Sequence, residues 1–238
     1  KIEDIVRGMK VVLPDGQSLE VRPLARRATG PDLLQLFIGS EGTLGVITEI
    51  TLRIWKRPER EHGVVLAMPS VAAGLAGLRE IMQGELRPAV TRLYDETETR
   101  TRPEGIAAFA SRPVMIMLVF SGPERLARLE EELSLEILAG HGGVVADVAP
   151  YREWNEHRYV SYSPKWQSTN HFMDTIEVTG SWSELSAMHE RMCQAARAMH
   201  PHLQFGTHWS HVYPEAACQY MAFRVPPLPG AEGRALPG

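Results

Sequence analysis

Apolar positions along the chain follow two alternating periods, and the alternation predicts where strands and helices lie. Residues 9–22 read as a hairpin: MKVVLP, a turn at Asp15-Gly16, then QSLEVRP. Residues 26–31 form a polar loop, and Pro31-Asp32 opens a short helix over DLLQLF. Over 45–54 the run VITEITLRI is rich in β-branched residues at period two, which predicts a strand that Pro58 ends.

Beyond Pro58, strands interleave with amphipathic helices. GVVLAM at 63–68 predicts a strand, and Ser70 caps a helix with Val71, Leu75, Leu78 and Met82 inward. Strands are expected at 90–94 and 114–120. Ser121-Gly-Pro-Glu124 has the form of a capping box, opening a helix with Leu126, Leu129 and Leu133 inward and Gly140 at its end. Residues 151–162 predict a helix and 172–179 a strand. Ser181-Trp-Ser-Glu184 is a second capping box, before a helix that packs Leu185, Met188, Met192 and Met199. Two adjacent strands follow at 203–212 and 217–223. The proline- and glycine-rich end, RVPPLPGAEGRALPG, cannot build a packed element and reads as a disordered tail over 226–238. The expected class is α+β, a mainly antiparallel sheet covered by helices.

Composition narrows the partners. With 238 residues, 44% hydrophobic and 23% charged, the chain can form one large or two modest globular domains. A net charge of −4, from 29 acidic and 25 basic residues, gives no attraction for nucleic acid or an anionic membrane. The longest apolar run, 113–120, is too short for a membrane span. Cys193 and Cys218 have neither metal-ligand spacing nor the number for a disulfide framework, so no metal site and a cytoplasmic location are expected. The N-terminus, KIEDIVRGMK, lacks signal-peptide architecture and begins as though in mid-domain. The expected partner is a small-molecule substrate, and a homodimer is allowed.

One segment carries ligand chemistry. Gly39-Ser-Glu-Gly42-Thr-Leu-Gly45 spaces three glycines three apart just before a strand. It has neither the Walker nor the dinucleotide spacing. Missing Cβ atoms still let a ligand approach the main chain, where successive N–H groups attract anions, and Ser40 and Thr43 add hydroxyls. A diphosphate bridge suits such a surface, as does an ordinary glycine-rich turn.

LFIGSEGTLGVITEITLRI resembles the segment that closes the FAD-binding (PCMH-type) domain in the vanillyl-alcohol-oxidase-like flavoprotein superfamily. The resemblance implies FAD contacts, largely through backbone, from Glu41, Gly42, Thr43, Leu44, Gly45, Val46 and Ile47. Within that superfamily, Pro88-Ala-Val-Thr-Arg92-Leu-Tyr-Asp95, Asp174-Thr-Ile-Glu177-Val-Thr-Gly-Ser-Trp182 and His211-Val-Tyr213-Pro-Glu-Ala-Ala-Cys218-Gln-Tyr220 resemble segments of the alkylglycerone-phosphate synthases. The catalytic tyrosine of that branch falls on Tyr220. The implied organisation is 1–58 as the C-terminal part of an FAD-binding domain, 59–225 as a substrate or cap domain, then the tail. The sequence departs from the branch in three ways: the domain's first half is absent, a C-terminal histidine cluster is absent, and a substrate-anchoring arginine falls on Ser163, with Lys165 nearby.

The remaining candidates each have a bland reading. Tyr220 is either a half-buried packing tyrosine or a general base, and a phenol with an unperturbed pKa near 10 needs a neighbouring positive charge or the flavin for the second role. Arg92 supplies that charge, binds an anionic substrate together with Lys165, or pairs with Asp95 at the surface. His208 and His211, three apart on a strand, are expected on opposite faces. Three functions follow: a synthase-like flavoenzyme exchanging acyl for alkyl on a glycerone phosphate ester; an FAD-dependent dehydrogenase or oxidase of a small 2-hydroxy acid; or a non-catalytic cap-domain remnant.

Overall fold

The computed structural model describes residues 1–25, 29–101, 106–159, 172–199 and 202–225. The chain divides into two compact units, Lys1–Arg57 and Pro58–Gly238.

The first unit holds helix α1 (Ile2–Ile5), strands β1 (Val6–Val12) and β2 (Ser18–Val21), helix α2 (Leu33–Phe37) and strand β3 (Val46–Leu52). The sheet is antiparallel in the order β2-β1-β3. The hairpin turn forms at the expected place: Asp15 accepts from the Gln17 amide at 3.0 Å and Gly16 adopts φ 84°. Asp32 caps α2 by accepting from the Leu34 amide at 3.0 Å. Val6, Met9, Val11, Val21 and Phe37 are the core. The central strand β1 contributes most of it, whereas the edge strand β3 leaves Val46, Ile50 and Leu52 exposed.

The second unit is a seven-stranded antiparallel sheet in the order β7-β4-β6-β5-β9-β10-β8. Its strands are β4 (Arg60–Met68), β5 (Val90–Tyr94), β6 (Val114–Gly122), β7 (Val144–Val145), β8 (Phe172–Ser181), β9 (Gln204–Val212) and β10 (Ala216–Val225). Between them lie α3 (Val71–Gln83), α4 (Glu96–Arg100), a 3₁₀ turn (Ile106–Phe109), α5 (Glu124–Gly140), α6 (Ala149–His157) and α7 (Leu185–Met199). On one face α3, α5 and α7 bury Leu66, Leu93, Ile116, Leu118 and Trp209. On the other, Tyr151 and Trp154 of α6 pack over Val65, Tyr94, Met115 and Met117. Strands β4 and β6 are covered on both faces, so they read in sequence as continuous apolar runs. The expected α+β class is the observed one. No helix among the described residues is long and apolar enough to cross a membrane.

Helix faces differ from expectation in two places. Ser121 and Gly122 still belong to β6, and α5 starts at Glu124 with Pro123 at its N-cap and no side-chain cap. The predicted capping box is therefore absent. Leu126, Leu129 and Leu133 are exposed at 52%, 51% and 37%, while Ala127, Ser134 and Leu138 face inward. The two helices approach closely there: a Cβ on Gly77 of α3 would sit 2.7 Å from Leu138, so α3 presents a glycine where Leu138 packs. In α7 the second box forms in part, with Glu184 accepting from the Ser181 amide at 3.1 Å. Leu185 is buried and Met188 packs on the core, but Met199, at the helix end, is 80% exposed. The predicted tail over 226–238 lies outside the described residues.

The two halves of the large sheet meet where β5 pairs with β9 through only Leu93↔Trp209 and Tyr94↔His208. Asp95 reinforces this short junction. Its amide donates to Thr207 O at 2.9 Å, and its carboxylate accepts from the amides of Thr207 and Glu98, each at 2.8 Å. It also meets His189 Nε2 of α7 at 3.2 Å. Burial pushes the His189 imidazole down, but the Asp95 hydrogen bond, together with Cys193, more than offsets it and raises the pKa to about 9. Glu98 and Arg224 of β10 form a second tie, a 2.8 Å ion pair with both side chains over nine-tenths buried. Removing one partner leaves a buried charge unmatched. Arg224→Met should lower unfolding stability by about 3–5 kcal/mol, and adding Glu98→Leu should restore most of it. Chemical denaturation of both variants measures this; a loss in the double variant as large as in the single one would show that packing, not charge, sets the cost.

Candidate functional site

In the first unit, the turn between α2 and β3 is shaped by left-handed main chain. Gly39, Glu41 and Gly42 adopt φ of 83°, 50° and 80°. Glycine meets this without penalty, whereas Glu41 carries strain of about 1 kcal/mol. The Ser40 amide donates to Phe37 O and the Thr43 amide to Ser40 O, so those two are used internally. Among the described residues, the exposed amides of Glu41, Gly42 and Leu44 make no hydrogen bond. Thr43 spends its hydroxyl proton on Ser40 O at 2.7 Å, so it is no outward donor. Space is open where a Cβ of Gly39 or Gly42 would lie. Gly45 is different: its Cβ would fall 2.8 Å from both Val11 Cγ1 and Val12 O. It lets β3 close onto β1, and Val46 and Ile47 then pair with Val12 and Val11. Unused amides on an open, side-chain-poor surface fit the charged bridge of a dinucleotide cofactor.

In the second unit, strand register collects the other candidates. Tyr94 pairs with His208, and His208 pairs with Tyr220, so all three share one sheet face across β5, β9 and β10. The His208 ring stacks on Tyr220 at 4.6 Å and lies 5.6 Å from Tyr94. Arg92, two residues before Tyr94 on the same face, donates from Nε to the Tyr94 hydroxyl. Its guanidinium lies over Tyr94 and Trp154, at 5.3 and 5.6 Å from the ring centroids. A cation, two phenols and an imidazole thus form one row. Tyr220 is half-buried, with Cys218 and Ala222 beside it on the same face.

Several expectations change. Arg92 does not pair with Asp95, because residues an odd number of positions apart on a strand point to opposite faces, and Asp95 turns toward α7. His208 and His211 are not on opposite faces. A bulge at Ser210 shifts register, so His211 pairs with Cys218 while Trp209 pairs with Gln219. Glu177 pairs with Tyr220 but is exposed, and needs no buried partner. Lys165 and Ser163 lie outside the described residues. Tyr94 and Trp154 were missed. The Arg92-x-Tyr94 spacing is the signal for the first, since period two puts both side chains together; the second comes from a distant helix, which no local pattern announces.

Comparison with known proteins gives the class. Residues 57–234 match the family described as FAD linked oxidases, C-terminal domain, and the chain belongs to that family, whose cofactor is FAD. It is 29% identical over 234 residues to the uncharacterized FAD-linked oxidoreductase YgcU of Escherichia coli (strain K12), covering 93% of this chain and 48% of that protein. It is 26% identical over 253 residues to an alkyldihydroxyacetonephosphate synthase of Dictyostelium discoideum, covering 93% of this chain and 41% of that one. A mitochondrial D-lactate dehydrogenase [cytochrome] of Arabidopsis thaliana is 34% identical over 143 residues, 60% of this chain and 25% of that one. A solved alkyldihydroxyacetonephosphate synthase superposes with a TM-score of 0.74 at 25% identity, over 94% of this chain and 47% of that one. The chain thus spans about half the length, or less, of the curated relatives it matches.

Gly45→Ala should destabilise the first unit by about 1–3 kcal/mol, because the added methyl must displace Val11 or part β3 from β1. Limited proteolysis within residues 1–57 reads this directly. Cleavage as slow as in the unsubstituted chain would contradict the packing role.

Proposed function

We propose that the parent of this chain is an FAD-dependent enzyme acting on a small anionic carbonyl or hydroxy compound, and that its acid–base chemistry resides on the Tyr220 face. The observation that carries the reading is the row Arg92, Tyr94, His208 and Tyr220 on one side of the sheet. The flavin, when bound, supplies the electron-accepting chemistry. Within residues 41–47, the unused main-chain amides of Glu41, Gly42 and Leu44 face it, and Gly45, Val46 and Ile47 fix the strand that carries them. The protein's own part is to hold the substrate and move a proton.

Tyr220 takes the proton from the substrate carbon, and His208, stacked on it, offers a place for positive charge beside the phenol. Arg92 keeps its Nε on Tyr94, and its terminal amino groups make no hydrogen bond among the described residues. They suit a phosphate or carboxylate. For the synthase-like reading, Arg92 binds the phosphate of an acyl glycerone phosphate while acyl is exchanged for alkyl, without net redox change. Similarity to the Dictyostelium synthase over 93% of the chain supports it. The second reading is oxidation of a small 2-hydroxy acid, supported by the D-lactate dehydrogenase similarity over 60% of the chain.

Anaerobic addition of each substrate to the full-length parent separates the two. Lasting loss of oxidised-flavin absorbance with a 2-hydroxy acid supports the second reading, while alkyl-for-acyl exchange with no net bleaching supports the first. In either case Tyr220→Phe should lower turnover by roughly 10²–10⁴-fold with FAD content unchanged. Full turnover in that variant would remove Tyr220 from the chemistry. A parent that retains no FAD would leave the remnant reading.

A further inference from the structure

A second group of reactive side chains converges on the sheet face opposite Tyr220. His189 and Cys193 lie four residues apart on α7, which places them one helical turn apart on one side of the helix. Asp95 reaches them from the end of β5. Cys193 Sγ is 3.4 Å from His189 Nε2, and that nitrogen is 3.2 Å from Asp95 Oδ2. All three ligand atoms lie within 4.8 Å of one another. We propose that Asp95, His189 and Cys193 form a binding site for a zinc-class divalent cation, with its remaining position open to a cleft.

Distances favour this assignment. A tetrahedral zinc with bonds of about 2.1 Å to nitrogen and oxygen and about 2.3 Å to sulfur separates its ligands by roughly 3.4 Å (N to O) and 3.6 Å (N to S). The observed 3.2 and 3.4 Å need only small adjustment. The ligand types agree as well. A thiolate selects against magnesium and calcium, and the mixture of thiolate, imidazole and carboxylate suits zinc. One carboxylate and one thiolate also balance the charge of a divalent ion.

The ligands are held before any ion arrives. Two backbone amides fix the Asp95 carboxylate, from Glu98 and Thr207, which is the kind of outer support that metal-binding carboxylates carry. The His189 ring stands edge-on to the buried Trp209, at 5.2 Å between centroids. Asp95 is buried, while His189 and Cys193 are half-buried and line a cleft of about 480 Å³ that Arg197 and Gln204 also border. That cleft leaves room for water or a small anion as the fourth ligand, the arrangement of zinc sites that keep an open position. Nothing in the proposed flavin chemistry uses this face.

The test is zinc content, measured on the 238-residue chain after chelator treatment, dialysis against zinc and removal of excess. One zinc per chain is expected for the unsubstituted chain and for Cys218→Ala, with stoichiometric binding lost in Cys193→Ser and in His189→Gln. Cobalt in place of zinc should give a thiolate-to-cobalt charge-transfer band that Cys218→Ala retains and Cys193→Ser lacks. This reading on the unsubstituted chain does not depend on any variant folding. Zinc should also slow alkylation of Cys193 by iodoacetamide. Absence of stoichiometric zinc and of the cobalt band in the unsubstituted chain would overturn the site, as would undiminished binding in folded Cys193→Ser.

Discussion

The short pairing of β5 with β9 is the constraint on which the larger unit depends. Two register pairs join a four-stranded half, β7-β4-β6-β5, to a three-stranded half, β9-β10-β8. So few ladder bonds would leave a hinge, and buried polar groups close it. Asp95 binds the amides of Thr207 and Glu98, and Glu98 pairs with Arg224 of β10. These groups are costly to bury and are stable only while every partner is present. Their geometry therefore fixes how the two halves align. Gly206 belongs to the same device, since a Cβ there would stand 2.7–2.8 Å from Glu98.

That alignment decides which side chains meet. Arg92 and Tyr94 come from one half of the sheet and His208 and Tyr220 from the other, so the proposed acid–base row exists only across the junction. On the opposite face the same junction brings Asp95 to His189 and Cys193 of α7. Two chemically different groups thus share one structural origin. Period two in β5 sends Arg92 and Tyr94 to one side and Asp95 to the other.

Much of the fold was legible from residues alone. The hairpin around Asp15-Gly16, the short helix opening at Pro31-Asp32, the Ser70 cap and the span 90–94 each rest on local chemistry, and local chemistry is what a sequence displays. The inward face of α5 was not legible, because it is set by tertiary packing, where Leu138 meets Gly77 of α3, and not by the helix's own leucine stripe. The glycine segment signalled an open main-chain surface, but which amides stay unused depends on the turn's dihedral angles. His208 was set apart from His211 by strict alternation, and one bulge residue, Ser210, undoes that rule. The meeting of Asp95 with His189 and Cys193 spans nearly a hundred residues of sequence, so no local spacing reveals it.

The junction, through its buried ties, sets the geometry of the Tyr220 face. The most direct test is the turnover of the full-length parent carrying Gly206→Ala, with FAD content measured in parallel. The added methyl presses on Glu98 and should shift β9 against β5. A displacement on the order of 1 Å at a reacting group costs roughly 100-fold in rate. A loss of about that size is expected, with FAD content unchanged. Turnover equal to that of the unsubstituted parent, in a folded and fully FAD-loaded variant, would show that the junction does not set this geometry.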